Sequence, residues 1–490
     1  MNYQLKIPKE ISQITRTLEN KGYEAYLVGG CVRDLLVGNK PKDWDVTTNA
    51  NPEQIIKIFK KAVYENNFGT VAIINKDVED ETLKIVEITP YRLETKYSDQ
   101  RHPDSVTFTN NLEEDLKRRD FTINAMAYNV SKRQLKDSYK GQRDLALKSI
   151  KTVGNPEERF NEDALRILRG VRLATELGFM INKDTALAMS KMASFIRNIS
   201  GERIRNEFVK IIMSKEPMVG LFLANKLGLL KEIIPELEEG VGIKQNKDHI
   251  YEVWEHLLRA VQHSANREWT FHVRLAALFH DIGKPKTRVW VEEKRDYTFY
   301  GHEVIGEKMV KRIMERLKFS NKDIDIITKL VRNHMFFSDI DQITLSAVRR
   351  LINRVGQENV WDLMKVRACD RIGMGKPKET PYRLRKYESM IEEAMRSPIS
   401  VGMLKIDGKK IMDVIHETSG PRIGFILHAL LEEVLDDPSL NTKEYLENKT
   451  KELAKLPKKK LEKIGKSGKE KRGEEEEREL KAIRDKHFVK

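Results

Sequence analysis

The strongest indication of the fold is LVGGCVRD at residues 27–34, followed by KDWDV at residues 42–46. Two glycines directly after an apolar strand let the backbone turn tightly and bring its N–H groups close to a phosphate chain. Asp43 and Asp45 are two residues apart, so on a strand their carboxylates project from one face and repel unless a cation lies between them. Either element alone is also common as a structural turn. Together, and with Arg33 one turn into the following helix, they predict a site for a cation and a phosphate chain.

A third carboxylate completes the predicted chemistry. Hard cations such as Mg²⁺ prefer carboxylate oxygens and fill their remaining positions with substrate phosphates. Two such ions would activate an attacking hydroxyl and stabilise a leaving pyrophosphate, which is nucleotidyl transfer. A site of this type needs one more acid on a neighbouring strand. Glu87, within IVEI at residues 85–88, is the best candidate, and a solvent-facing strand residue is the alternative.

The composition predicts several domains and a polyanionic partner. The 490 residues include 89 Lys and Arg against 75 Asp and Glu, a net charge of +14. An excess of this size fits nucleic acid, although an ordinary basic protein is the alternative. Two cysteines, Cys31 and Cys369, exclude a disulfide framework and a thiolate zinc site. No apolar run approaches ~18 residues, so we expect a cytoplasmic protein with no membrane partner.

The hydrophobic pattern changes near residue 155. Before it, apolar strands at 25–28, 71–74, 83–88 and 106–108 alternate with helices, which predicts an α/β domain. After it, helical spacing is nearly continuous to about residue 450, broken by a hairpin at 288–300. Residues 458–490 combine a basic run with Glu474–Glu477 and few apolar anchors. We interpret them as a solvated helix or, preferably, a disordered tail.

Five motifs in order resemble the class II tRNA nucleotidyltransferase and poly(A) polymerase family. They cover residues 27–208 and include the glycine turn with the carboxylate pair. The others are RRDFTINA at 118–125, Asp137 with GQxDL at 141–145, EDALR at 162–166 and ERIR at 202–205. The resemblance implies a head of the DNA polymerase β-like class, which holds Mg²⁺ at Asp43 and Asp45.

The resemblance also implies a set of nucleotide-binding residues. Asp163 and Arg166, three apart on a helix and therefore on one face, would read the edge of the incoming base without a nucleic-acid template. Arginines suit the phosphates, and Asp120 with Asn124 suits the sugar hydroxyls. The alternatives are a structural ion pair for the first two, a helix cap for Asp120 and Asn124, and ordinary solvated arginines. The full set is Gly29, Gly30, Arg33, Arg119, Asp120, Asn124, Asp163, Arg166, Arg169 and Arg172.

A segment of the head bears on base order. YSDQRHPD at residues 97–104 resembles the flexible loop that full CCA-adding enzymes use when they switch from C to A. Relatives that add only CC lack this loop, so its presence argues against that specialisation. An A-adding enzyme stays open.

A second ligand set lies in the helical part of the chain. His280 and Asp281 end an apolar helix, and neutral imidazoles with carboxylates suit Mn²⁺, Ni²⁺, Fe²⁺ or Zn²⁺. The set resembles the HD-superfamily phosphohydrolases, and hydrolysis of a phosphate ester is a hypothesis that follows from it. Packing in the core is the alternative for any one of these histidines. The predicted ligands are His256, His280, Asp281, His302, His334 and Asp370.

The expected fold is an α/β nucleotidyltransferase head followed by all-α neck, HD-type body and tail domains. We expect these at residues 1–150, 151–215, 216–380 and 381–455, with the charged segment at 456–490. The implied activity is addition or repair of the CCA end of tRNA with CTP and ATP. A poly(A) polymerase or A-adding enzyme is the nearest alternative. A metal-dependent phosphohydrolase and a non-catalytic tRNA-binding protein are alternatives of other classes, and the sequence leaves the oligomeric state open.

Overall fold

A computed structural model describes residues 5–64, 69–94, 106–336, 343–396 and 401–489. The chain forms two compact units. The first contains Met1–His334 and Lys365–Pro377, and the second contains Met335–Met364 and Lys378–Lys490. Within the described ranges we find no helix with the length and apolar character needed to cross a membrane.

The first unit begins with a mixed α/β region. Its strands are β1 Ala25–Val28, β2 Asp45–Thr48, β3 Ala62–Tyr64, β4 Val71–Ile74, β5 Ile85–Pro90, β6 Arg92–Glu94, β7 Val106–Phe108, β8 Ala127–Asn129 and β9 Gln134–Lys136. Seven of them form one sheet in the order β3-β4-β5-β2-β1-β8-β9, and β6 pairs with β7 separately. Strands β2 and β5 run parallel, whereas the other neighbours in the large sheet are antiparallel.

The strands predicted at 25–28, 71–74 and 106–108 are confirmed, although the last one lies outside the large sheet. The strand predicted at 83–88 begins two residues later, at Ile85, because Glu81–Leu83 forms a 3-10 turn. Asp80 starts that turn by accepting a hydrogen bond from the Thr82 amide. The predicted hairpin at 288–300 is also confirmed, as β12 and β13 below.

Short helices pack on this sheet. They are α1 Lys9–Glu19, α2 Gly30–Leu36, α3 Pro52–Ile58, α4 Leu112–Lys117 and α5 Gly141–Ala146. Helix α1 is amphipathic and buries Ile11, Ile14 and Leu18 on one face, which is what its apolar spacing predicts. A core cluster beside β1 joins Tyr26 and Val28 to Leu116 of α4. These contacts fix the ends of β1 and β2, where the glycine turn and the carboxylates lie.

The remainder of the first unit is mainly helical. Its elements are β10 Ser149–Ile150, α6 Pro156–Glu162, α7 Leu165–Leu177, β11 Met180–Ile181, α8 Lys183–Lys191, α9 Gly201–Met213, α10 Pro217–Lys226, α11 Leu230–Ile233, α12 Pro235–Glu238, α13 Val253–Asn266, α14 Phe271–Phe279, α15 Lys284–Thr287, β12 Val289–Val291, β13 Asp296–Thr298, α16 His302–Arg316 and α17 Asn321–Asn333. The helix predicted at 201–213 is confirmed to the residue.

The second unit is helical. Its helices are α18 Leu345–Val355, α19 Val360–Gly373, α20 Tyr382–Met395, α21 Gly408–Ile415, α22 Pro421–Asp436, α23 Lys443–Ala454 and α24 Lys458–Lys486, and the later part of α19 belongs to the first unit. Their core contains Ile411, Ile426, Leu430 and Leu446, all fully buried.

The charged segment after residue 456 is a helix, so the preferred expectation of disorder is wrong. Leu461 of α24 is fully buried in the core of the second unit. Gly465 lets the helix approach closely, since a Cβ there would lie 2.7 Å from Phe425. Ile464 packs against the same core, and Glu479 and Lys486 form ion pairs with residues at the end of α20. A few apolar residues and ion pairs therefore anchor a helix whose composition is otherwise that of a solvated segment. The domain boundaries at 150, 215, 380 and 455 stay predictions.

Candidate active site and metal centre

Three acidic residues lie on or next to two neighbouring central strands of the large sheet. Asp45 begins β2, and Asp43 lies two residues before it. The parallel pairing of β2 with β5 puts Asp45 in register with Glu87. Glu87 therefore lies on the strand next to the acid pair, where a third carboxylate was expected.

The glycine turn lies directly against Asp43 and Asp45. Gly29 has φ of 79°, a left-handed conformation that L side chains rarely adopt. A Cβ at Gly29 would lie 3.4 Å from Asp45 Oδ2 and 3.2 Å from Arg119 Nη1. Glycine is therefore required here both for the turn and for the space that the carboxylate and the guanidinium occupy.

Arg33 reaches the same turn from α2. A Cβ at Gly30 would lie 3.6 Å from Arg33 Nη2 and 3.9 Å from Asp43 Oδ1, so the arginine and the carboxylate flank the turn. Arg33 Nε donates to Asp34 Oδ1 at 2.8 Å, and its Nη1 donates to Asn124 Oδ1 at 2.8 Å. The guanidinium is thus held in one orientation beside the carboxylate pair.

The environment of the two aspartates disfavours the ionised form of Asp45. Burial and, to a smaller extent, the nearby Asp43 carboxylate together raise the pKa of Asp45 to about 6, although Arg119 and Arg169 act in the opposite direction. Asp43 precedes β2, so the two acids do not lie on one strand as the sequence predicted. Asp43, Asp45 and Glu87 still offer carboxylate oxygens, the donors that a hard divalent cation prefers. The residues present therefore fit a divalent metal.

Arg119 is positioned by an acid that the sequence did not single out. Asp115 on α4 is fully buried and accepts hydrogen bonds from Arg118 and Arg119. The two arginines outweigh the burial and keep the pKa of Asp115 below its usual value. The signal was present, because an acid four residues before an arginine on a helix forms this pair.

Asp120 has a positioning role in the structure. Its Oδ1 accepts from the Phe121 amide at 2.8 Å and from Asn124 Nδ2 at 3.3 Å, while its Oδ2 lies 2.7 Å from Arg169 Nη2. Burial alone would raise the pKa of Asp120, and the arginines outweigh it and lower the pKa to about 2. Asp120 therefore stays ionised, and its contact with Asn124 continues to Arg33. Asp120 and Asn124 therefore do not act as the helix cap that was the alternative prediction, because Asp120 accepts from the next amide and from the Asn124 side chain.

Asp163 does not share a helix face with Arg166, so that premise is wrong. Helix α6 ends at Glu162, and Asp163 is extended, with φ of −147° and ψ of 104°. Its Oδ1 accepts from the Leu165 amide at 3.1 Å, which caps the start of α7. Its Oδ2 accepts from Arg203 Nη2 at 2.7 Å. An aspartate before a new helix satisfies free amides, and this local preference breaks the helix that the spacing predicted.

Arg166 lies on α7 and is buried. It forms an ion pair with Glu162 and donates to the carbonyl oxygens of Arg159 and Arg118, at 3.2 and 3.0 Å. Arg166 and Asp163 therefore have separate partners in this structure.

A basic cleft of about 460 Å³ opens beside Asp43. Arg172 of α7 lines it and forms an ion pair with Glu207 at 2.8 Å. Lys40, Lys42 and Lys210 add positive charge to its walls. The lining residues are Arg33, Asp34, Asn39, Lys40, Lys42, Asp43, Arg172, Glu176, Leu177 and Lys210. The cleft thus joins the acid pair to cations that suit a phosphate chain.

The second ligand set is assembled in the interior of the first unit. His256 Nε2 lies 3.0 Å from Asp281 Oδ2 and 3.5 Å from Asp370 Oδ1. His280 Nε2 lies 3.3 and 3.5 Å from the same two oxygens. Helices α13, α16 and α19 and the residues that directly follow α14 and α17 supply the whole set, and all its members are buried.

Asp281 also serves a second group. Its Oδ1 lies 3.1 Å from His302 Nε2 and 3.4 Å from His334 Nε2. Its two oxygens therefore point to different histidine pairs. The six residues predicted from sequence are all brought together, with Asp281 at the centre.

The imidazoles are held in the tautomer that metals need. The Nδ1 atoms of His280, His302 and His334 each lie 2.7–2.8 Å from the carbonyl oxygen three residues earlier. A carbonyl only accepts, so each Nδ1 carries a hydrogen, and a ring in its neutral form presents its lone pair at Nε2. The Nε2 atoms of His302 and His334 face each other at 3.3 Å. Two lone pairs at this distance repel unless a cation lies between them.

The charges of the centre also fit a divalent cation. Burial lowers the pKa of His334 to about 4, which keeps this ring neutral. Burial would lower the pKa of His280 as well, but the carboxylates of Asp281 and Asp370 outweigh it and raise the pKa to about 10. The negative charge that attracts a proton to this point attracts a metal ion equally, and nitrogen and oxygen donors together suit a transition metal.

Two residues of this centre were missed by the sequence analysis. His249 offers a ligand atom to the group of His256, Asp281 and Asp370. Lys284 Nζ lies 2.6 Å from Asp281 Oδ2 and 3.2 Å from His249 Nε2. Lys284 belongs to the motif that begins at His280, so its spacing was a usable signal. His249 lies in a loop, where no periodicity marks it.

The segment at residues 97–104, predicted to act in the switch from C to A, lies outside the described residues.

Comparisons with known proteins agree with this geometry. Three family models match the chain: a poly A polymerase head domain at residues 25–151, a probable RNA and SrmB-binding site of polymerase A at 178–240, and an HD domain at 247–372. The solved structure of the Bacillus stearothermophilus CCA-adding enzyme in complex with CTP is 27% identical, with a TM-score of 0.58, over 91% of this chain and 98% of that one. The Thermotoga maritima CCA-adding enzyme complexed with tRNA has a TM-score of 0.51 over 91% of this chain and 96% of that one, and at 20% identity it supports the fold alone.

Curated relatives extend over nearly the whole chain. The CCA-adding enzyme of Enterococcus faecalis is 31% identical over 444 residues, which are 89% of this chain and 94% of the relative. That of Oceanobacillus iheyensis is 46% identical over 205 residues, which are 42% of this chain and 50% of the relative. The chain belongs to the family of CCA-adding enzymes, the tRNA nucleotidyltransferases.

Proposed function

We propose that this chain adds or repairs the CCA end of tRNA with CTP and ATP and releases pyrophosphate. The observation that carries this function is the placement of Asp43 and Asp45 against the turn at Gly29–Gly30, with Glu87 in register on the next strand and a basic cleft beside Asp43. The relatives named as CCA-adding enzymes support the same activity, including one bound to CTP.

Asp43 and Asp45 would hold Mg²⁺, with Glu87 beside them. Bound there, the ion supplies Lewis-acid stabilisation for attack of the RNA 3′-hydroxyl on the α-phosphate and for departure of pyrophosphate. Arg33 and Arg119 would bind the triphosphate, because their guanidinium groups flank the glycine turn on either side of the acids. Asp120 and Asn124 would orient Arg33 and Arg169, and Asn124 would contact the ribose.

Base selection would depend on Asp163 and Arg166 exchanging partners. In the structure Asp163 pairs with Arg203, and Arg166 pairs with Glu162. A base edge that offers a donor and an acceptor can take one hydrogen bond from each pair, with the donor to Asp163 and the acceptor to Arg166. We propose that the incoming CTP or ATP makes this exchange and that Arg169 and Arg172 contact phosphates.

The test is incorporation of labelled CMP and AMP into tRNA that lacks its 3′ end. We expect CTP and then ATP to be used on tRNA ending at the nucleotide before CCA, and growth to stop after three additions. Addition of A alone to tRNA ending in CC would identify an A-adding enzyme, and long A tracts on unrelated RNA would identify a poly(A) polymerase. We propose the cytoplasm, which contains tRNA and both nucleotides, as the compartment.

We propose a second activity for the buried centre, hydrolysis of a phosphate ester. The observation that favours it is the set of facing imidazole lone pairs around Asp281. The residues would hold Mn²⁺, Ni²⁺, Fe²⁺ or Zn²⁺, which when bound supplies Lewis-acid activation for hydrolysis. Lys284, 2.6 Å from Asp281, would limit the charge that these carboxylates accumulate.

The hydrolase proposal is tested with the purified full chain, loaded with each of the four metals in turn. A phosphate monoester and a nucleoside 2′,3′-cyclic phosphate are suitable probes. We expect turnover that is lost on replacement of both His280 and Asp281 by Ala, with nucleotide addition retained. A chain that binds none of the metals and hydrolyses neither probe would contradict the proposal.

A further inference from the structure

A second cleft lies next to the basic cleft beside Asp43. It has a volume of about 470 Å³ and is lined by residues of α9, by Phe271 at the start of α14 and by Phe319 between α16 and α17. Lys210 of α9 lines both clefts. The two spaces are therefore neighbours along α9, and a chain that enters one is within reach of the other.

Two aromatic rings form one wall of this second cleft. Phe271 and Phe319 stack with their centroids 6.0 Å apart and an angle of 18° between their planes. Both rings are partly exposed, whereas other phenylalanines of this unit, such as Phe160 and Phe279, are buried in the core. An accessible stacked pair of this kind suits a nucleobase, since every base has an apolar face that stacks on aromatic rings.

Cations accompany the rings. The Arg205 guanidinium lies 5.9 Å from the centre of the Phe319 ring. It donates to the Lys318 carbonyl oxygen and, at 3.1 and 3.2 Å, to Asn206 Oδ1, so it is held over the ring. Lys210 is exposed on the same helix. A base on the ring would thus have its phosphate close to positive charge.

The acid of the cleft is already engaged within the protein. Asp323 accepts from Ser320 Oγ at 2.6 Å and lies 2.8 Å from His272 Nε2. These contacts hold the pKa of Asp323 below its usual value although burial opposes them. Asp323 therefore stays ionised and is held on the side of the cleft that carries Ser320 and His272.

We propose that the second cleft binds an unpaired nucleotide near the 3′ end of the RNA substrate, with its base against Phe271 and Phe319 and its phosphate near Arg205 and Lys210. The inference rests on the proposed transfer of nucleotides to tRNA. RNA is the occupant because α9 lies in the segment that matches the RNA-binding family model, at residues 178–240. The second cleft shares Lys210 with the basic cleft that reaches Asp43, which selects the single-stranded end of the RNA, because this end must approach Asp43 for transfer.

The test measures the affinity of the full chain for a tRNA transcript that ends in CC. The probes are the intact transcript and three versions, each with one abasic nucleotide among the last three positions. For wild type we expect one abasic position to weaken binding about ten-fold, the effect of losing a stacked base. Phe319→Leu should weaken binding of the intact transcript about equally and remove the effect of that abasic position.

Two further variants separate stacking from damage to the fold. Phe319→Trp keeps a stacking ring and should bind the intact transcript as wild type does. Phe222→Leu is the matched control, because Phe222 is an exposed ring of α10 that does not line the cleft. It should leave the affinity for tRNA unchanged, and none of the variants should change the affinity for CTP. Weaker CTP binding in Phe319→Leu would instead indicate that the cleft holds the free nucleotide, and would overturn the assignment to RNA.

Failure of this inference can be told apart from failure of the proposed function. A wild-type chain that incorporates no CMP or AMP into tRNA overturns the function. A wild-type chain that incorporates both, with abasic effects that are the same in wild type and Phe319→Leu, overturns the second cleft alone. Equal losses in Phe319→Leu and Phe319→Trp also overturn it, since stacking would then not be the cause.

Discussion

The two metal-binding regions of this chain are built in opposite ways. In the head, Asp43 is exposed, Asp45 and Glu87 are partly exposed, and the site opens into a cleft. In the buried centre, Asp281 and its histidines are almost completely enclosed, and each fixed ring is oriented by a carbonyl oxygen. The head leaves coordination positions for a substrate to fill, whereas the buried centre has its donors in place. We infer that the first is completed by nucleotide and metal together and the second by metal alone.

Removal of a head carboxylate should have the largest effect. Asp43→Asn and Asp45→Asn each remove a negative charge from the proposed metal site, and a metal bound there would supply several kcal/mol to the transition state. We expect CMP incorporation to fall by about 10³-fold or more, with tRNA affinity nearly unchanged. Glu87→Gln should act in the same direction.

Asp77→Asn is the matched control for these variants, because Asp77 is an exposed acid that contacts Lys61. It should leave incorporation unchanged. Near wild-type rates in Asp43→Asn or Asp45→Asn would remove these residues from the metal site and would end the contrast between the two regions.

Base choice should be affected next, by roughly ten- to a hundred-fold. Asp163→Ala and Arg166→Ala each remove one hydrogen-bonding edge worth about 1–3 kcal/mol of discrimination. We expect the kcat/KM ratios among CTP, ATP, UTP and GTP to converge, with a smaller effect on the rate for CTP. Glu157→Gln, at an exposed ion pair with Lys191, is the control. Unchanged ratios would mean that both residues serve only their ion pairs with Arg203 and Glu162.

Loss of the buried metal should affect stability and leave transfer largely intact. A metal present at 100 times its dissociation constant stabilises the folded state by about 2.7 kcal/mol. We therefore expect a chelator to lower the Tm of the full chain, and replacement of both His280 and Asp281 by Ala to abolish metal content.

The control for this experiment is His416→Asn, an exposed histidine of the second unit with φ of 57°, where Asn is tolerated. Its metal content should equal that of wild type. A double variant that retains the metal, or a wild type that binds none, would show that these histidines are packing residues.

The smallest effect on transfer should come from α24. Leu461→Ala removes a fully buried side chain from the core of the second unit and should cost about 2–4 kcal/mol of local stability. Hydrogen exchange of the α24 amides should accelerate, while incorporation in the head should stay close to wild type. Met403→Ala, at a half-exposed apolar residue of the same unit, is the control. Unchanged protection of α24 would mean that Leu461 does not anchor it.

Structural features that depend only on neighbouring residues could be predicted from the sequence. The glycine turn and helices such as 201–213 follow from neighbouring residues, so their patterns could be read directly, whereas the strand that was expected to include both acids begins only at Asp45. The ligand types of the buried centre could also be read, since six of its members stand at recognisable positions in order. Two other predictions from local pattern were wrong. Asp163 caps α7 and interrupts the helix that was expected across it. Leu461 and Gly465 help to anchor a helix where average composition favoured disorder.

Contacts between residues that are distant in sequence depend on tertiary packing and could not be predicted from local patterns. The register of β2 with β5 brings Glu87 beside Asp45, and no local pattern specifies a register between strands forty residues apart. Packing of the helices around Asp281 places each of its two carboxylate oxygens next to a different pair of histidines. The same packing brings His249 to this centre from a loop. Tertiary packing also directs Asp120 towards Arg169 and pairs Asp163 with Arg203. Partners of a charge depend on which surfaces pack together, and this is a property of the whole core rather than of any one segment.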